Sequence, residues 1–189
     1  SHGKNSYTAE FDNLKIWNLD KIGVYQDGAF TPFPDWLETV FSAIDGRAPT
    51  FEDDFSAIKE VWLLEDDLVN PNCQNTIPVV ANGVLRMVAD TDKNPGCWAW
   101  ARLPNLDLQD TVVQVDMNLS ESNSTGQLIL EDAARHSVVF SLSHNGYWST
   151  SFCNSVIQTV CPFYREGYTS SYPGRPVTIL MITYGKNVA

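Results

Sequence analysis

Between residues 111 and 119 the chain shows its cleanest alternation of apolar and polar side chains, with Val113, Val115 and Met117 on one face and Gln114, Asp116 and Asn118 on the other. A two-residue period belongs to an extended strand with one buried face, and a helix cannot present it. Comparable short apolar runs occupy residues 61–64, 79–89, 97–103, 126–130, 137–143, 146–152, 156–163 and 177–184, separated by turn-forming Gly, Asn, Asp, Ser and Pro. Inside the second of these runs, Asn82-Gly83 is the signal for a tight hairpin, because both central positions of its turn need a positive φ. Many short strands joined by turn-rich loops predict an all-β sandwich or barrel rather than alternating strands and helices.

One segment breaks the pattern. Across residues 34–44, Trp36, Leu37, Val40, Phe41 and Ile44 recur at helical spacing, Asp35 and Glu38 sit in the first turn, and Asp45-Gly46 follows as a stop. Carboxylates are favoured there by the amide dipoles, so a single short helix is predicted. It needs a surface to lie on.

The run at residues 7–17 is a strand with a fault in it. Ala9, Phe11 and Asn13 share one parity, and Leu14 and Ile16 take the other, so a slip at Asp12-Asn13 reads as a β-bulge. At the other end, residues 177–184 read as a long central strand, which needs a hydrogen-bonded neighbour on each side. The expected organisation is therefore a closing or donated strand at residues 1–18, a linker with the short helix at 19–50, and a β-sandwich at 51–189.

The 189 residues are enough for one substantial core, or for a core with an extended arm. A formal net charge of −11 leaves no basic stripe for phosphates, so nucleic acid is not expected as a partner, nor an anionic membrane surface. No apolar stretch approaches the roughly 20 residues of a membrane span, and membrane insertion is not expected. Four cysteines, Cys73, Cys97, Cys153 and Cys161, allow three pairings, of which the neighbour pairing closes two local loops. Free buried thiols and a metal site are the alternatives, although no CxxC occurs and the three His residues are scattered. Disulfides imply an oxidising compartment, hence an extracellular or cell-surface location. Asn118-Leu119-Ser120 and Asn123-Ser124-Thr125 are sequons that would matter in a glycosylating host.

Several short motifs, taken in order, resemble the concanavalin-like (laminin-G-like) β-sandwich modules of bacterial extracellular proteins. Phe51-Glu52-Asp53-Asp54-Phe55-Ser56 followed by Trp62 looks like their first strand, Asn82-Gly83-Val84-Leu85-Arg86-Met87 like their recurrent hairpin strand, and Val112 to Met117 like the core strand that follows. The resemblance covers roughly residues 51 to 184, and implies a two-sheet antiparallel concanavalin-like sandwich with an N-terminal strand arm and one short helix. In that family a strand of the form Phe-Asp-Asn-apolar-x-apolar-Trp closes the domain. Here it stands at the beginning, as Phe11-Asp12-Asn13-Leu14-Lys15-Ile16-Trp17. Three readings follow: the strand folds back into its own sheet, it covers the edge of a neighbouring copy in a head-to-tail assembly, or the chain is a fragment, either truncated or with its first seventeen residues ending a preceding domain of a longer parent. Phe11, Leu14, Ile16 and Trp17 are the strand-exchange candidates.

The resemblance also implies structural calcium tying the first strand to the last, which by motif points to Asp12 with Asp53 or Asp54; a solvated acidic turn is the alternative. Trp98, Trp100 and Arg102 share one strand parity and, with Tyr147 and Trp148, are candidates for a glycan platform, since flat rings give contact area at low entropic cost. The same parity is expected of an inward core face. Tyr164, Tyr168 and Tyr172 are further exposed-loop candidates. Hydrolysis of a glycoside needs two carboxyl groups facing one cleft, and no such pair is legible, nor is a nucleophile motif near His136 or His144. The expected function is a non-enzymatic extracellular structural module for self-association, possible by terminal strand addition, with a carbohydrate-binding or adhesion module second and a glycoside hydrolase third.

Overall fold

The computed structural model describes residues 5–21, 35–65, 73–74, 77–91, 97–104, 109–119, 124–132, 136–153, 163–169, 175–184 and 187–188. Within them the protein is an all-β domain of three sheets with one helix. Its strands are β1 (Asn5–Asn18), β2 (Phe51–Asp53), β3 (Leu63–Glu65), β4 (Cys73–Gln74), β5 (Val79–Ala81), β6 (Val84–Thr91) and β7 (Trp100–Arg102). They continue with β8 (Thr111–Leu119), β9 (Thr125–Glu131), β10 (Ser137–Ser143), β11 (Tyr147–Cys153), β12 (Phe163–Tyr168), β13 (Val177–Tyr184) and β14 (Asn187–Val188). The helix α1 spans Asp35–Ile44, as its periodicity predicts. Of the run expected at 156–163, residues 156–162 lie outside the described residues.

The largest sheet has eight strands in the order β14-β13-β8-β1-β6-β4, with β2 also paired to β1 and β5 to β6. A meander of four, β12-β11-β10-β9, forms the second sheet, and the pair β3-β7 forms a third beyond the two expected. The N-terminal segment lies within the large sheet, the first of the three readings: it pairs with β8 along one edge and with β6 and β2 along the other, all in its own chain. The neighbours of residues 177–184 are β8 along one edge and β14 along the other at Thr183 and Tyr184.

The bulge decides what β1 buries. Asp12 faces Asp116 in β8 and Lys15 faces Gln114, so β1 carries one extra residue there, and Asn13 takes a φ of 51°. One extra residue inverts the parity, and so Ala9 and Phe11 before the bulge and Leu14 and Ile16 after it all enter the same core. That core joins Val113, Val115, Met117, Leu119, Ile179 and Met181 of the large sheet to Leu130 and Leu142 of the meander. Each large side chain fully buried there contributes roughly 1.5–3 kcal/mol.

On the opposite face of the large sheet, Trp17, Val112, Ile182 and Tyr184 meet Trp36 and Val40 of α1. The helix thus finds its surface, although Phe41, expected on the apolar face, is 45% exposed. Thr50 clamps the end of β1: its amide and hydroxyl both donate to the Ile16 carbonyl at 2.8 Å, and its Oγ1 accepts from the Asn18 amide at 3.0 Å. Asn82 and Gly83, with φ of 55° and 76°, form the expected turn between β5 and β6. A disulfide joins Cys73 to Cys97. Cys153 is also disulfide-bonded, while its expected partner Cys161 lies outside the described residues. Among the described residues no helix is long and apolar enough to cross a membrane.

Candidate functional site

The small β3-β7 sheet turns one face inward and one outward. Leu64 and Ala101, which pair across it, pack on the core together with Trp62 and Leu103. The alternation of a strand then sends Trp100 and Arg102 the other way, so the parity shared with Trp98 marks an outward face and not the inward one it could equally have been. Trp98 is 45% exposed, and its ring lies 5.9 Å from that of Trp100 with only 22° between the planes. The guanidinium of Arg102 sits over the Trp100 ring at 5.4 Å, continuing the row.

Glu65 holds this row in place. It lies opposite Trp100 in register and takes the Arg102 Nε at 3.2 Å, with both side chains nearly half exposed. A half-exposed pair of this kind adds little stability, but it fixes the direction of the guanidinium. The result is a pair of near-parallel indoles with a donor group and an acceptor group at one end. Such a surface can take the apolar face of a ring by stacking while the charged pair binds hydroxyl groups.

The other aromatic candidates divide. Trp148 stacks on Phe140 at 6.5 Å and packs on the core, pressed against the backbone of Gly167. It is a packing residue. Tyr147 meets Tyr168 edge to face at 5.4 Å, and Tyr168 is 74% exposed. The Tyr147 hydroxyl donates to Glu166, and that hydrogen bond raises the phenol above its ordinary pKa, with burial and the Glu166 charge acting in the same direction. Tyr172 lies outside the described residues.

The acidic candidates are spread along β1 and β2. Asp12 stands opposite Asp116, whereas Asp53 stands opposite Leu14. Asp116 accepts from Asn13 Nδ2 at 2.9 Å and from Thr178 Oγ1 at 2.6 Å, and Asp12 accepts from the Asn13 amide. Asp53 is buried, and its carboxylate takes the Phe55 amide at 2.9 Å, the Trp62 indole N–H at 2.8 Å and the Lys59 ammonium at 3.5 Å. Asp54 is exposed; hydrogen bonds from Ser56 hold its carboxyl below the usual value. Asn13, Leu14, Lys15, Glu52, Asp53, Asp54 and Lys59 line a cleft of about 300 Å³.

These residues are a poor fit to the calcium expected between Asp12 and Asp53 or Asp54. Calcium takes six to eight oxygens, and the oxygens of Asp53 are already engaged by the protein's own donors. Lys59 places its ammonium beside Asp53, where it also donates to the Glu52 carbonyl. Among the described residues no three acidic, His or Cys side chains are grouped as a metal would require. His136 and Asp132 hydrogen-bond at 2.8 Å within one turn, and His144 Nδ1 lies 2.9 Å from the Leu119 carbonyl, so both histidines are engaged locally.

No protein-family model matches this chain, no curated protein matches it, and no solved structure matches it. The functional reading therefore rests on the geometry of its own side chains.

Proposed function

We propose that the protein is a non-enzymatic, extracellular carbohydrate-binding or adhesion module, built as a concanavalin-like β-sandwich, whose ligand stacks on Trp98 and Trp100. The observation that carries this reading is the near-parallel Trp98-Trp100 pair, with Trp98 45% exposed and Arg102 held beside Trp100 by Glu65. Trp98 keeps nearly half of its surface exposed, and a sugar ring presents an apolar face that can stack on an indole. Arg102 and Glu65 supply both donors and an acceptor for hydroxyl groups, and the row of rings suits a linear chain better than a single sugar. The disulfides support an oxidising compartment, in keeping with a surface or secreted location.

Affinity electrophoresis through gels holding soluble polysaccharides, with binding constants from calorimetry, tests the proposal. The native chain is retarded by at least one polysaccharide, and Trp98→Ala weakens that binding by about tenfold, equivalent to ~1.4 kcal/mol. No release of reducing sugar accompanies it. Migration unaltered by every polysaccharide, or equal retardation of native protein, Trp98→Ala and Trp100→Ala, overturns it.

A further inference from the structure

β1 holds the large sheet together from its middle. Among the described residues β8 and β6 meet only through it, β8 along Ala9 to Asn18 and β6 along Asn5 to Phe11. Taking β1 away would leave two separate half-sheets, β14-β13-β8 and β6 with β4 and β5, each ending in a long unpaired edge. It would also open the core where Phe11, Leu14 and Ile16 lie. Glu10 marks the seam on the outer side, accepting from Asn118 Nδ2 of β8 at 3.2 Å and lying 3.8 Å from Arg86 Nε of β6.

All of the pairings of β1 are distant in sequence, to residues 51–53, 85–91 and 111–119. Those of the meander and of the β5-β6 hairpin are local. Loop closure is a cost met before long-range contacts form, so local pairs assemble first and β1 docks late, joining two half-sheets that do not meet without it. Until it docks, the seat discriminates by sequence and register and not by which molecule the strand belongs to. A strand from another copy makes the same hydrogen bonds, the same core contacts and the same Glu10 seam.

We propose that the slot between β6 and β8 is a strand-accepting site for β1 of a second copy of this chain, and that the protein forms dimers by reciprocal exchange of this strand. The unit that moves is residues 5–21, joined to the remainder through residues 22–34. Its contacts to Thr50, Asp110 and α1 are all with residues beyond that link, and they re-form in the partner. Reciprocal exchange fills both seats and closes the assembly, since each copy lends what it borrows. The inference is independent of the carbohydrate reading, because the aromatic platform lies on the β3-β7 sheet.

The test uses two full-length variants, Glu10→Cys and Asn118→Cys, which alter partly exposed positions that are direct partners in register. They are unfolded together at high concentration, refolded and mildly oxidised, and crosslinks are mapped by mass spectrometry. The expected product is a heterodimer joined between positions 10 and 118, with native protein doubling in mass in sedimentation after the same treatment. The double variant in a single chain, oxidised when dilute, stays monomeric because its strand is locked at home. A second pair, Glu10→Cys with Arg86→Cys, reads the other side of the seat. Native protein that remains monomeric after concentrated refolding, with no crosslinked heterodimer from either pair, overturns the proposal. Species larger than a dimer in sedimentation overturn reciprocal closure.

Discussion

The indole N–H of Trp62 donates to the buried carboxylate of Asp53 at 2.8 Å, and this bond ties the loop after β2 to the strand that pairs with β1. Trp62 also lies against the fully buried Phe55, with ring centroids 5.6 Å apart. Trp62→Phe keeps an aromatic ring at the site but removes the donor. A buried charged acceptor that loses one partner costs about 1–3 kcal/mol. Urea unfolding of the variant should show a lower midpoint with an unchanged slope.

Gly126 is required by Met117. A Cβ at position 126 would lie 2.4 Å from Met117 Sδ and 3.2 Å from Leu119 Cδ2, in the contact between the meander and the large sheet. Met117 and Leu119 have no exposed surface into which to move. Gly126→Ala should therefore destabilise by roughly 1–3 kcal/mol through overpacking, read as a fall in melting temperature.

Glu65 should affect binding without affecting folding. Its bond to Arg102 is solvent-exposed, so Glu65→Gln is expected to shift stability by no more than about 0.5 kcal/mol. Polysaccharide affinity should nonetheless fall, because the guanidinium over Trp100 loses its anchor. Equal affinity in native and Glu65→Gln proteins would remove Arg102 from the binding surface.

Asp54 sets part of the acid limit. Its carboxyl is held below the usual value by the Ser56 hydrogen bonds, so its stabilising effect is present above the unfolded-state value and is lost as pH falls through the folded one. Asp54→Asn should flatten the loss of stability below about pH 4, where an ordinary Asp titrates. Chemical unfolding at a series of acidic pH values measures that slope.

Much of this architecture is legible along the chain. The clean alternation of residues 113–119 becomes most of β8, the periodic apolar face of residues 34–44 becomes α1, and Asn82-Gly83 becomes a turn, because each signal is local and rests on one backbone geometry. The bulge at Asp12-Asn13 is legible too, as a change of parity, but its purpose is not. Only with Phe11 and Leu14 in one core does the extra residue become the device that keeps both halves of β1 facing inward.

The candidate site was half legible. The shared parity of Trp98, Trp100 and Arg102 put them on one face, yet inward and outward faces give the same alternation, and burial on the Leu64-Ala101 side decides between them. Trp148 gives the same signal in sequence, but it packs against Gly167 and Phe140. Glu65 carried no signal, since its role depends on a cross-strand neighbour far away in sequence. The acidic run at Glu52-Asp53-Asp54 likewise could not disclose that Lys59 and Trp62 would engage its middle member.

The sequence by itself determined that this chain forms strands, where they turn and which residues each strand presents on a face, because φ/ψ preference and side-chain period act over a few residues. Tertiary structure alone decided that the N-terminal strand lies between β8 and β6, and that two of the tryptophans point outward. Strand order and the choice of face depend on which distant edges hydrogen-bond and which surfaces exclude water together, and those energies exist only once the sheets have met.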